Sequence, residues 1–110
     1  MRSTSLPLLL PCLGAWALAC AAHAQNHPTV ALRELPEALR HQYQLSRPEM
    51  NSNSRCAAAY DSHSEQDRMS LRCSIYIKLG AEGARRAMQH CEEDREKKHI
   101  HAPCKIVLEE

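Results

Sequence analysis

The sequence predicts a small α+β domain held by disulfides, with a short antiparallel sheet and one main helix. Three observations predict it. "MSLRCSIYIKL" (69–79) alternates apolar and polar residues, "GAEGARRAMQHCEEDREKKH" (80–99) reads as a charged amphipathic helix, and four cysteines follow an apolar leader. Alternation is the signature of a half-buried strand, because successive side chains leave opposite faces of the backbone.

The leader comes first in the chain. Arg2 supplies a positive start, "LPLLLPCLGAWALACAA" (6–22) is apolar, and Ala22-His23-Ala24 has the small-x-small pattern that signal peptidase accepts. Cleavage is expected before Gln25. Pro7, Pro11 and Gly14 interrupt the stretch and argue against a stable membrane span. Lipidation at Cys20 is the rival reading, but "ALAC" places Ala17, not Leu18, three residues before the cysteine.

Taking residues 1–24 from the 110 leaves 86, carrying Cys56, Cys73, Cys91 and Cys104 and no tryptophan or phenylalanine. Arg2 is lost from the 14 basic residues, so 13 basic face 13 acidic. That balance excludes the basic excess of a nucleic-acid binder. A single domain of this size with so few aromatic residues buries little apolar surface, so covalent cross-links are expected to support it.

Residues 25–32 read as a flexible lead-in. "RELPEALRHQYQLS" (33–46) sets Leu35, Leu39 and Tyr43 on one helical stripe, with Pro36 in the first turn and Pro48 beyond the end. "SRPEMNSNSR" (46–55) is turn chemistry. In 69–79, Leu71, Cys73, Ile75, Ile77 and Leu79 fall on one side of a strand, and Arg72, Ser74, Tyr76 and Lys78 on the other. An all-α alternative exists. Met69, Cys73, Tyr76 and Ile77 also share a helical face, and "SHSE" (62–65) resembles a capping box.

If 56–73 folds back as a hairpin, Cys56 and Cys73 stand opposite each other, within disulfide reach. In the 80–99 helix, Ala84, Ala87, Met88 and Cys91 make a stripe of mostly small residues suited to close packing on a sheet, while Glu92, Glu93 and Asp94 read as a solvated face. Pro103 stops the helix and "CKIVLEE" (104–110) reads as a last strand.

The tail admits two chemistries. Cys91, His99, His101 and Cys104 form a potential zinc ligand set, which His90 would join; Met50, Met69 and Met88 would offer soft ligands to copper. Against this, the C-x7-H-x-H-x2-C spacing lacks the tight knuckles of zinc sites, and His99 and His101 would face opposite ways in an extended segment. A Cys91–Cys104 disulfide is the favoured reading, stabilising by about 3 kcal/mol in the chain-entropy picture. Of the three possible pairings of four cysteines, Cys56–Cys73 with Cys91–Cys104 is the sequence-local one.

Gly80, Ala84, Ala87, Cys91, Pro103, Cys104, Ile106 and Val107 resemble a module of small exported proteobacterial proteins of unknown function: an Ala-rich helix ending in Cys, a charged linker, then Pro-Cys and a short apolar strand. That resemblance implies a Cys91–Cys104 bond and no particular activity. The chain departs from it in lacking an aromatic-rich strand before the glycine. "RCSIYIKLG" (72–80) is also similar to the Cys-x2-Tyr-x3-Gly rhythm of small helical periplasmic immunity proteins, which block cell-wall-degrading toxins and carry two disulfides. This second likeness implies a helical 69–79.

Catalytic patterns are sparse. Asp61, Ser62 and His63 are sequence neighbours on a polar tip, whereas triads assemble from separate elements. There is no Cys-x-x-Cys pair, and the three glycines are too scattered for a phosphate loop. The expectation is an exported, non-enzymatic domain without cofactor, periplasmic or secreted, that binds another exported protein or envelope component, an inhibitor or immunity-type protein being one form of this. Its expected contact surfaces are the loop 46–55 and the exposed face of 69–79, with Tyr76 as anchor. The alternative is periplasmic metal binding through the tail.

Overall fold

The computed structural model describes residues 26–110. The expected leader, Cys20 and the cleavage point before Gln25 lie outside those residues. Among the described residues, four strands and two helices follow in the order β1 (Thr29–Ala31), α1 (Glu37–Ser46), β2 (Cys56–Tyr60), β3 (Met69–Cys73), α2 (Gly80–Lys98) and β4 (Lys105–Leu108). Short 3-10 turns occupy Leu32–Glu34, Arg47–Glu49 and Gln66–Arg68. No described helix is long and apolar enough to cross a membrane.

The α+β class is as the sequence predicts, and two details of it change. The sheet runs β1-β4-β2-β3 and is mixed, since β1 lies parallel to β4 while β4–β2 and β2–β3 are antiparallel. Thr29–Ala31, read from sequence as flexible, pairs with Ile106–Leu108 in register. A three-residue strand is too short to show a period. Its pairing depends on β4, some 77 positions away in register (Thr29 with Ile106).

Strand β2 explains the layering. "CAAAY" alternates strictly: Cys56 and Ala58 enter one core with Leu35, Leu39, Tyr43, Met69 and Val107, and Ala57 and Ala59 enter another with Ala87, Cys91, Ile100 and Ile106. The sheet is therefore covered on both faces, by α1 on one and α2 on the other. The Leu35, Leu39 and Tyr43 stripe is 2–3% exposed. Alanines on β2 opposite alanines on α2 let that helix approach closely, as its small-residue stripe implies.

Strand β3 is shorter than the alternation suggests. It ends at Cys73, and 74–79 forms the loop into α2. The helical alternative for 69–79 fails, because Met69–Cys73 pairs antiparallel with Cys56–Tyr60. Within β3 the alternation has a different cause from a wet face: Leu71 enters the α1-side core, whereas Ser70 and Arg72 turn to Asp94 of α2.

Candidate functional site

The site builds outward from the β2–β3 hairpin. Cys56 and Cys73 stand directly opposite in register and are bonded. The next step outward is a hydrogen-bonded pair, in which the Ser74 N–H donates to the Arg55 carbonyl at 2.8 Å and the Arg55 N–H donates to Ser74 Oγ at 3.0 Å. Ser74 Oγ also reaches the Gly83 carbonyl at 3.0 Å. This buried serine thus ties the end of the sheet to the start of α2.

The second anchor is Ile77, 4% exposed. Its carbonyl accepts from the side-chain amides of Asn51 (3.0 Å) and Asn53 (3.3 Å). Asn51 Oδ1 in turn accepts from the Asn53 N–H at 2.9 Å, an Asx-type turn that explains why "NSNS" occurs here. The expected contact loop 46–55 is therefore the floor that holds 74–79 in place. Gly83 completes the junction, lying against the Asn53 backbone where no side chain fits.

Between these anchors the chain turns outward. Tyr76 adopts a left-handed backbone, φ 56°, and is 80% exposed. Ile75 and Leu79 are exposed at 36% and 68%. A left-handed conformation costs a non-glycine residue roughly 1–2 kcal/mol, and an aromatic side chain gains nothing locally in return for facing water. Tyr76 is thus presented by a loop, not by the strand face expected from the alternation.

A cleft of about 530 Å³ opens beside this floor, lined by Tyr43, Arg47, Met50, Asn51, Arg55 and Glu109 among others. Several of its polar groups are paired with one another. The Tyr43 phenol donates to Glu109 Oε2, which also meets Arg47 Nε at 3.0 Å, and Arg55 donates to the Ser52 and Ser54 carbonyls. Burial, followed by the Glu109 hydrogen bond, pushes the Tyr43 pKa up to about 12, so the phenol stays neutral.

The tail is a structural junction. Cys91 and Cys104 are bonded to each other, so the set Cys91, His99, His101 and Cys104 does not assemble as four ligands. His99 caps α2 in a left-handed conformation, φ 57°, and the next residue's N–H bonds back to the Arg95 carbonyl at 2.9 Å. Arg95 also bonds the His101 and Ala102 carbonyls. Among the described residues, no three His, Cys, Asp or Glu side chains converge as a metal site.

Two carboxylates escape a reading from sequence alone. Asp61 accepts the N–H groups of His101 (2.7 Å) and Ala102 (2.8 Å), and these donors hold its carboxyl below the usual range. Its neighbours form a turn: Ser62 Oγ accepts from the Ser64 and Glu65 N–H groups, and His63 stacks edge-on against Tyr60. Asp94, placed by sequence on a solvated face, is 8% exposed. It accepts from Ser70 Oγ at 2.6 Å and meets Arg72 and Lys98 at 3.3 Å each. Burial alone would raise its pKa; the Ser70 hydrogen bond and the two cations outweigh that and lower it. The only hint in the sequence was Asp94–Lys98 spacing, which charged helix surfaces share.

No family model, curated protein or solved structure matches this chain.

Proposed function

We propose that this chain is an exported, non-enzymatic binding domain, and that Ser74–Leu79 is the loop it inserts into a concave site on another exported protein, such as the cleft of an enzyme it inhibits. Two disulfides in a small domain are compatible with an oxidising compartment. The observation that carries the proposal is Tyr76, strained and exposed between two buried anchors. Strain of this kind persists where the surroundings over-determine it, and it concentrates at binding loops. A preorganised loop also loses less entropy on binding than a mobile one.

The test compares the wild type with Tyr76→Asn for partner retention from an exported-protein fraction, with His41→Ala as a substitution away from the loop. Asparagine tolerates the left-handed region, so the variant should melt at or above the wild-type temperature. It should lose about 2 kcal/mol of binding, near thirtyfold in Kd. A partner held equally by wild type and Tyr76→Asn would rule out the loop as the contact.

A further inference from the structure

The cleft beside the 51–54 floor carries an unbalanced charge. Arg47 and Arg55 line it as cations, and Glu109 is its one lining carboxylate. Glu109 is already committed, because its Oε2 meets both the Tyr43 phenol and Arg47 Nε. Arg55 has no such partner. Its Nη1 donates to the Ser52 carbonyl at 2.9 Å and to the Ser54 carbonyl at 2.7 Å. Among the described residues no carboxylate pairs with it. Both of its bonds use one nitrogen, so the edge formed by Nε and Nη2 has no protein acceptor among those residues.

We propose that this cleft binds a small organic carboxylate with a short apolar body, held by Arg55. A guanidinium edge presents two parallel N–H donors that match the two oxygens of a carboxylate, which gives direction as well as charge. The bound anion brings the lining from one net positive charge to neutrality. Other polar groups of the lining are already engaged: Asn51 accepts from Ser54 Oγ and donates to the Ile77 carbonyl. Met50 and Leu108 offer apolar surface to the ligand's body. At about 530 Å³ the cleft has the size of a small-molecule site.

Glu109 shows that the cleft accepts this chemistry. Tyr43 is 3% exposed, yet its hydroxyl is turned to a carboxylate in the cleft. In the bound state Glu109 keeps Tyr43 and Arg47, and as a like charge it opposes the incoming anion. Removing its charge therefore strengthens uptake, which a merely structural Glu109 would not do. The site shares its floor with the Tyr76 loop and does not rest on that loop's role.

The test titrates the oxidised, nitrogen-15-labelled protein with sodium hexanoate at constant ionic strength and follows the backbone amides. Saturable shifts should appear at residues 51–55 and 107–109. Hexanamide, of similar shape but uncharged, should bind about tenfold more weakly, and acetate, without the apolar body, likewise. Glu109→Gln leaves an acceptor for Tyr43 and Arg47 and should tighten hexanoate about threefold. Arg55→Gln should weaken it about tenfold. If that variant fails to fold, Arg55→Lys replaces it; losing the planar fork while keeping the charge, it should still bind more weakly than wild type. Shifts confined to other residues, equal binding of hexanoate and either control, or unchanged or weaker binding by Glu109→Gln would overturn the site.

Discussion

Gly83 and Asn53 meet backbone to backbone: a β-carbon placed on Gly83 would lie 1.7 Å from the Asn53 carbonyl oxygen. That contact seats the first turns of α2 on the 51–54 loop, which also holds Ile77. Gly83→Ala must therefore displace backbone, and we expect a loss of about 3 kcal/mol in urea unfolding. Gly80→Ala is the control. Its β-carbon would sit 3.5 Å from Asn53 Oδ1, an ordinary contact, and should stabilise by about 0.5 kcal/mol. Equal effects from the two substitutions would contradict the close approach.

The Cys91–Cys104 bond closes a separation of 13 residues between the α2 core face and the start of β4. Cys91→Ser and Cys104→Ser should each cost about 3 kcal/mol, and the double variant little more. Because both sulfurs are buried, thermal melts of all three variants should nearly coincide. Clearly additive losses would argue for independent roles.

Asp94 makes stability depend on acid. Its folded-state pKa lies below the unfolded value, so its contribution is present above about pH 3.9 and disappears as pH falls through the folded pKa. Asp94→Asn should cost about 2 kcal/mol at neutral pH, the worth of hydrogen bonds to a charged group. The variant should also lose part of the acid-side slope in a series of unfolding curves. A variant as stable as wild type at pH 7 would mean that Ser70, Arg72 and Lys98 gain nothing from the carboxylate.

Tyr43 behaves oppositely. Its folded pKa is about 12 against 10 for the free phenol, so its contribution is complete below pH 10 and is lost as pH rises through 12. Ultraviolet titration should show one phenol ionising only near pH 12, and Tyr43→Phe should remove that step. Burial is the larger cause, so Glu109→Gln should bring Tyr43 only part of the way back. Complete reversion would show that the carboxylate outweighs burial.

Legibility followed the range of each interaction. Leu35, Leu39 and Tyr43 reveal α1 because one helix brings them together, and the small-residue stripe of α2 shows in the same way. The alternation in 69–79 is misleading beyond Cys73 because Ile77 is buried by a loop anchor, not by a strand face. Nothing in residues 25–32 indicates a strand, since β1 exists through its parallel partner. Tyr76 stood out as an aromatic residue, but its backbone conformation depends on Ser74 and Ile77 being held by Arg55, Asn51 and Asn53.

By itself, the sequence determined the α+β class, the spans of the helices and the local cysteine spacings, because those depend on neighbours within a turn or hairpin. Tertiary structure decided that the sheet is mixed and covered on both faces, that Asp94 is buried against Ser70, and that Tyr76 projects from a loop. Each of those outcomes needs a partner distant in sequence. Residues such as Asp94 and Glu93 have the same local pattern, and only the strand that arrives beside one of them separates a buried carboxylate from a solvated one.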